Sequence, residues 1–104
     1  MSEDNSSSVE PPCHHVEFQG RVQGVGFRLT TTQISKRFPV SGYVKNMPNG
    51  TVVMVVRCDS STLEEFLNAI ESVFTNHIES KEIREATSNE CFDVETHSGF
   101  EVRY

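Results

Sequence analysis

Between Gly20 and Arg28 the chain reads Gly-Arg-Val-Gln-Gly-Val-Gly-Phe-Arg, three glycines and a closing arginine set between an apolar strand-like stretch and the start of a helical pattern. Glycine lets a backbone turn tightly, so several N–H groups can converge on one point. A helix start adds donors without intrahelical partners and a partial positive charge. Arg28 supplies a planar guanidinium whose fork fits phosphate geometry. A fold that accommodates this stretch must pass from strand to helix here, and the loop so formed is built as an anion cradle.

The remaining elements follow from periodicity. His14–Gly20 alternates weakly, with Val16 and Phe18 on one face, and reads as a strand leading into the loop. Phe27, Thr31, Ile34 and Phe38 share a helical face, and Pro39 ends that helix at about Arg37. Ser41–Asn46 and Thr51–Cys58 are strand-like, joined by Met47-Pro48-Asn49-Gly50, whose Asn-Gly pair suits a tight hairpin. Residues Thr51–Val56 are apolar at nearly every position. This implies either a central strand covered on both faces or an apolar patch on the open face of a sheet. Ser61-Thr62-Leu63-Glu64 reads as a capping box. It opens a second helix of about four turns with Leu63, Phe66, Leu67, Ile70, Val73 and Phe74 inward and Glu64, Glu65 and Glu71 in solvent. Ile78–Ala86 is a weaker strand, Thr87–Ser98 mostly loop, and Phe100–Tyr104 a short closing strand. The order β-α-β-β-α-β predicts an α+β chain of the ferredoxin-like, split βαβ type: an antiparallel sheet with two helices on one face.

Composition narrows the function classes. A chain of 104 residues has room for one domain. Residues 1–12 are polar and Ser-rich and read as a disordered tail, with the domain over 13–104. Acidic residues outnumber basic ones 15 to 9 for a net charge of −6, which disfavours nucleic acid. An RNA-binding sheet would also need stacking aromatics, and Val52–Val56 offers none. The acidic N-terminus and the lack of a long apolar run point away from secretion and membranes and toward the cytoplasm. Cys13, Cys58 and Cys91 are odd in number and widely spaced, against a disulfide framework and against zinc. Cys58 and Cys91 read as small buried hydrophobes, and the Cys13 thiol beside the tail as the easiest to oxidise. His14 and His15, adjacent on a strand, face opposite sides and do not chelate one metal.

The loop Gly20–Arg28 resembles the signature of the acylphosphatase family. Gly42-Tyr43-Val44-Lys45-Asn46 with Gly50-Thr51-Val52 is similar to its second motif, and Phe100-Glu101-Val102-Arg103-Tyr104 to its C-terminal end. The chain departs from that pattern in Tyr43 where tryptophan is common, Asn49 where aspartate is, and Cys58 where glycine is. It also lacks the usual Gly-Pro turn after the second helix. The resemblance implies a cofactor-free hydrolase of the carboxyl-phosphate bond of small-molecule acyl phosphates, monomeric, without metal or phosphoenzyme. It implies Arg28 as the phosphate-binding arginine, Asn46 as the residue that positions the attacking water, and the backbone of Gln23, Gly24, Val25, Gly26, Phe27 and Arg28 as the phosphate cradle. The alternative is a non-catalytic phosphate- or carbamoyl-phosphate-binding module of the same fold. The cradle reads the phosphate, and the acyl group is left open.

Overall fold

Val16 and Phe18 have no exposed surface and anchor the first strand in the core. The computed structural model describes residues 11–92, 94 and 99–103; residues 1–10 of the expected tail, 93 and 95–98 of the expected loop and Tyr104 lie outside them. The elements are β1 (Cys13–Gly20), α1 (Phe27–Ser35), β2 (Ser41–Asn46), β3 (Val52–Arg57), α2 (Ser60–Val73), β4 (Ile78–Glu85), α3 (Ser88–Cys91) and β5 (Phe100–Arg103). They form one five-stranded sheet in the order β4-β1-β3-β2-β5. The ferredoxin-like arrangement expected from the sequence is present. The sheet is mixed rather than purely antiparallel, because β5 pairs parallel to β2, with Val44 opposite Val102 and Lys45 opposite Arg103.

The apolar run of β3 is covered on both sides. Val52, Met54 and Val56 point into the main core with Phe27 and Ile34 of α1 and Leu63, Phe66, Leu67 and Ile70 of α2. Val53 and Val55 face the other way and pack with Cys13 and Val94. Period-two alternation therefore still governs β3, and what differs from a half-exposed strand is that a second cover exists. Burying each such side chain contributes roughly 1.5–3 kcal/mol.

Several local expectations change. Helix α1 ends at Ser35, with Lys36, Arg37 and Phe38 amides bonded to carbonyls three residues back, a tightened last turn. The cap of α2 is Asp59, whose Oδ1 accepts from the Thr62 amide at 2.9 Å, and not Ser61. Asp59 stands two residues earlier, so the helix starts sooner and the orphan donor it satisfies, with a charged acceptor, is the Thr62 amide. Val73 is exposed rather than inward, while Phe74 closes the core. Glu71 is paired with Lys81 at 2.8 Å. The β2–β3 turn places Pro48 and Asn49 centrally, with the Gly50 amide bonded to the Met47 carbonyl and Gly50 at φ 92°. The Asn-Gly pair is thus split between a common turn and a left-handed glycine bulge, the three-residue hairpin.

The largest correction concerns the cysteines. Cys13 and Cys91 form a disulfide across 78 residues, with Cα atoms 6.2 Å apart. Cys91 is therefore not a buried free thiol, and Cys13 is already paired. Topology explains it: α3 lies over the open face of the sheet, above the start of β1, a proximity that spacing along the chain cannot show. Residues 87–91, read as loop, carry this helix, which is closed by a full capping box between Thr87 and Glu90. Cys58 is buried as expected, and burial pushes its thiol up to about 12.

Candidate active site

Phe27 fixes the position of the cradle. Its ring is buried against Phe18, with centroids 5.0 Å apart, and against Phe74 at 4.6 Å. Rooting the first residue of α1 in the core leaves the next, Arg28, at the surface of a cleft of about 260 Å³. That cleft is lined by Val22, Gly24, Gly26, Phe27, Arg28, Leu29, Asn46 and Val102.

The glycines matter here through backbone sign. Gly24 and Gly26 both sit at φ 80°, a left-handed conformation that L side chains rarely adopt. Gly26 is also the N-cap of α1 and offers no side chain to the helix. The first-turn amides are thus left without a side-chain cap, on the wall of the cleft, where they can serve an anion.

Arg28 and Asn46 meet at this cleft from different elements. The Arg28 Nη1 donates to the Arg103 carbonyl at 3.3 Å, which steadies the guanidinium against β5. Asn46 is the last residue of β2, paired with Val52 across the hairpin. Arg28 is the only ionisable side chain among the described lining residues, and no carboxylate, imidazole, thiol or hydroxyl accompanies it. Such a set of residues can bind a small anion and orient a neutral nucleophile. Among the described residues no cluster of three or more His, Cys, Asp or Glu is placed to hold a metal ion.

Of the residues singled out from sequence, Arg28, Asn46, Gly24, Gly26 and Phe27 line the cleft. Val25 is exposed beside it. Gln23 does not line it; its side chain turns away to the hairpin, with Nε2 donating at 2.8 Å to both the Met47 and Thr51 carbonyls. Sequence reasoning missed Val22, Leu29 and Val102. Val102 lies in the closing strand, whose alternation was visible, but only the parallel pairing with β2 brings it beside Asn46.

Comparison with known proteins agrees with this geometry. The acylphosphatase family profile matches residues 14–102. An acylphosphatase of Archaeoglobus fulgidus is 35% identical over 88 residues, covering 82% of this chain and 90% of that one. One from Geobacillus kaustophilus is 38% identical over 92 residues, covering 83% and 96%. Among solved structures, the Bacillus subtilis acylphosphatase superposes with a TM-score of 0.70 at 25% identity, covering 88% of this chain and 98% of that one. Full-length HypF, at 20% identity and a TM-score of 0.68, shares the fold over 92% of this chain but only 12% of its own length. The chain belongs to the acylphosphatase family.

Proposed function

We propose that the cleft hydrolyses acyl phosphates by in-line attack of water, with Arg28 and the backbone of Gln23–Arg28 holding the phosphoryl group and Asn46 aiming the water. The observation that carries this reading is the convergence of Arg28, the left-handed glycines and Asn46 on one cleft. The activity itself is that of the family; the residue roles rest on chemistry. In the substrate a carboxylate is bonded through oxygen to phosphorus. Water forms the new P–O bond as the acyl P–O bond breaks, the carboxylate departs with the electron pair, and the water's proton passes to a phosphate oxygen or to solvent, leaving carboxylate and inorganic phosphate. A carboxylate is a good leaving group and needs little acid assistance, so positioning and charge stabilisation suffice. The Asn46 carboxamide oxygen can accept a hydrogen bond from the water without adding negative charge beside the phosphate. Guanidinium and amide donors meet the charge spread over the equatorial oxygens, each worth roughly 10² to 10³ in rate.

Besides Arg28 and Asn46, the side chains lining the cleft are those of Val22, Phe27, Leu29 and Val102, which offer no polar group to discriminate one acyl chain from another. We place the enzyme in the cytoplasm as a monomer acting on small molecules, with the net charge of −6 keeping it from nucleic acid. Among the described residues no helix is long and apolar enough to cross a membrane. In a reducing compartment Cys13 and Cys91 would stand as thiols.

Acetyl and benzoyl phosphate turnover tests the roles. Arg28→Ala should lower kcat/KM about 10³-fold and abolish inhibition by inorganic phosphate. Asn46→Ala should lower kcat by about 10² or more while the phosphate inhibition constant stays put. Near-normal turnover by Asn46→Ala would remove the water-positioning role, and phosphate binding without hydrolysis by the unaltered protein would remove the enzyme reading.

A further inference from the structure

The cradle and Asn46 are carried by parts of the fold that no strand pairing joins directly. The loop runs between β1 and α1, Asn46 ends β2, and β3 separates β1 from β2 in the sheet. An in-line reaction is sensitive to their relative placement, since reacting atoms displaced by about 1 Å can cost about 10² in rate. Something must set that distance.

The half-buried amide of Gln23 is placed to do so. Both of its N–H bonds are used, one on the Met47 carbonyl and one on the Thr51 carbonyl, each at 2.8 Å. These are the two carbonyls at the mouth of the hairpin, on the rung just beyond the Asn46–Val52 pair. The Met47 amide closes the same rung onto the Thr51 carbonyl at 2.9 Å. Among the described residues, both hydrogen bonds from the loop to the hairpin come from this one amide. Because Met47 follows Asn46 directly, a shift of the Gln23 amide moves the residue that aims the water.

We infer that Gln23 is a positioning residue that couples the phosphate cradle to Asn46 and so sets kcat without setting phosphate affinity. The inference rests on the reading of Asn46 as the water-aiming group. The chemistry restricts what can replace it: two carbonyls need two donors on one terminus, which glutamine supplies, glutamate would oppose with its own lone pairs, and methionine lacks.

The test is a double-mutant cycle on benzoyl phosphate hydrolysis with Gln23→Met, Asn46→Ala and the pair, recording kcat, KM, the inhibition constant of inorganic phosphate and the melting temperature. Gln23→Met should lower kcat at least tenfold with the phosphate constant changed less than twofold. In the Asn46→Ala background the same substitution should change kcat less than twofold, because there is no longer an aimed water to misplace. Gln23→Lys, which keeps several donors on one terminus at similar reach, should recover part of the lost kcat. It also serves as the second variant should Gln23→Met fail to fold. If Asn46→Ala is impaired but the losses multiply, or if the phosphate constant worsens in step with kcat, or if the Lys and Met variants are equally impaired, Gln23 does not act through Asn46. If instead Asn46→Ala retains activity, the water-aiming reading itself fails, an outcome separate from the others.

Discussion

Two helix starts in this protein are finished in opposite ways. At α1 the cap is a left-handed glycine with no side-chain hydrogen bond, and its open amides face the cleft. At α3 a capping box closes the end on itself, the Glu90 carboxylate is shared with Arg84 at 2.9 and 2.7 Å, and the next residue is disulfide-bonded to β1. Arg57 adds further ties from β3, donating to Cys91 Sγ at 3.0 Å and to the Pro11 carbonyl at 2.9 Å. Val94 buries its side chain on the same face. One helix start keeps its donors for a ligand, the other satisfies them internally, and the difference separates a binding surface from a strap that covers the back of the sheet.

The comparison predicts that stability and turnover can be perturbed separately. The largest effect lies in the strap. The chain-entropy account gives about 4.5 kcal/mol for a cross-link closing a loop of this length. Cys13→Ser should therefore lower the melting temperature by roughly 20 °C or more, while kcat of the folded protein at 25 °C is unaltered. Thermal melts with and without reductant, run beside the turnover assay, check this. A parallel loss of kcat would show that the strap and the cleft are one unit. In the cleft the balance reverses. At Gly24 no atom lies within 4 Å of where a Cβ would stand, so Gly24→Ala meets only the left-handed backbone penalty of roughly 1–2 kcal/mol. It should nonetheless lower kcat/KM at least tenfold by re-aiming the loop amides. Retained activity would show that the left-handed bend is not what points them.

The same contrast explains what the sequence disclosed. The cleft was legible because its parts are local: a glycine-rich turn between a strand and a helix, and an asparagine at the end of a hairpin strand. Spacing alone constrains such pieces. The apolar run of β3 narrowed the choice to a strand covered on both faces or an apolar patch on the open face, and only the fold decides for the cover. The strap was not legible, because its contacts join distant residues. Cys13 and Cys91 are 78 apart, and Arg57 reaches Cys91 across 34 positions. Residues 87–91 did carry a signal in Thr87-Ser88-Asn89-Glu90, a capping-box pattern, but without an apolar period behind it the helix it opens is too short to notice. Gln23 was assigned to the cradle through its backbone; its side chain acts on a turn 24 residues on, a distance that only the fold closes.

The smallest effect concerns charge and isolates the strap from the cleft again. The Arg84 guanidinium bonded to Glu90, with help from the Thr87 amide, holds the Glu90 carboxyl down at about 2. Because the folded value lies below the unfolded one, the pairing stabilises the fold above about pH 5 and is lost as pH falls toward 2. His15 stands 3.8 Å from Glu90, and burial and then Arg84 lower its pKa despite Glu90 and Glu17 favouring the cation. Its protonation below the usual histidine range therefore also costs folded-state stability, so both groups weaken the strap in the same direction on acidification. Since Arg84 is half exposed, the Glu90 contribution is about 1 kcal/mol or less. Urea unfolding at pH 7 and pH 3 should show a larger acid-induced loss in the unaltered protein than in Glu90→Gln, which has no carboxyl to protonate. Identical pH dependence in the two would mean that the Glu90 carboxylate does not hold the strap, leaving that to the disulfide, Val94 and the Arg57 hydrogen bonds.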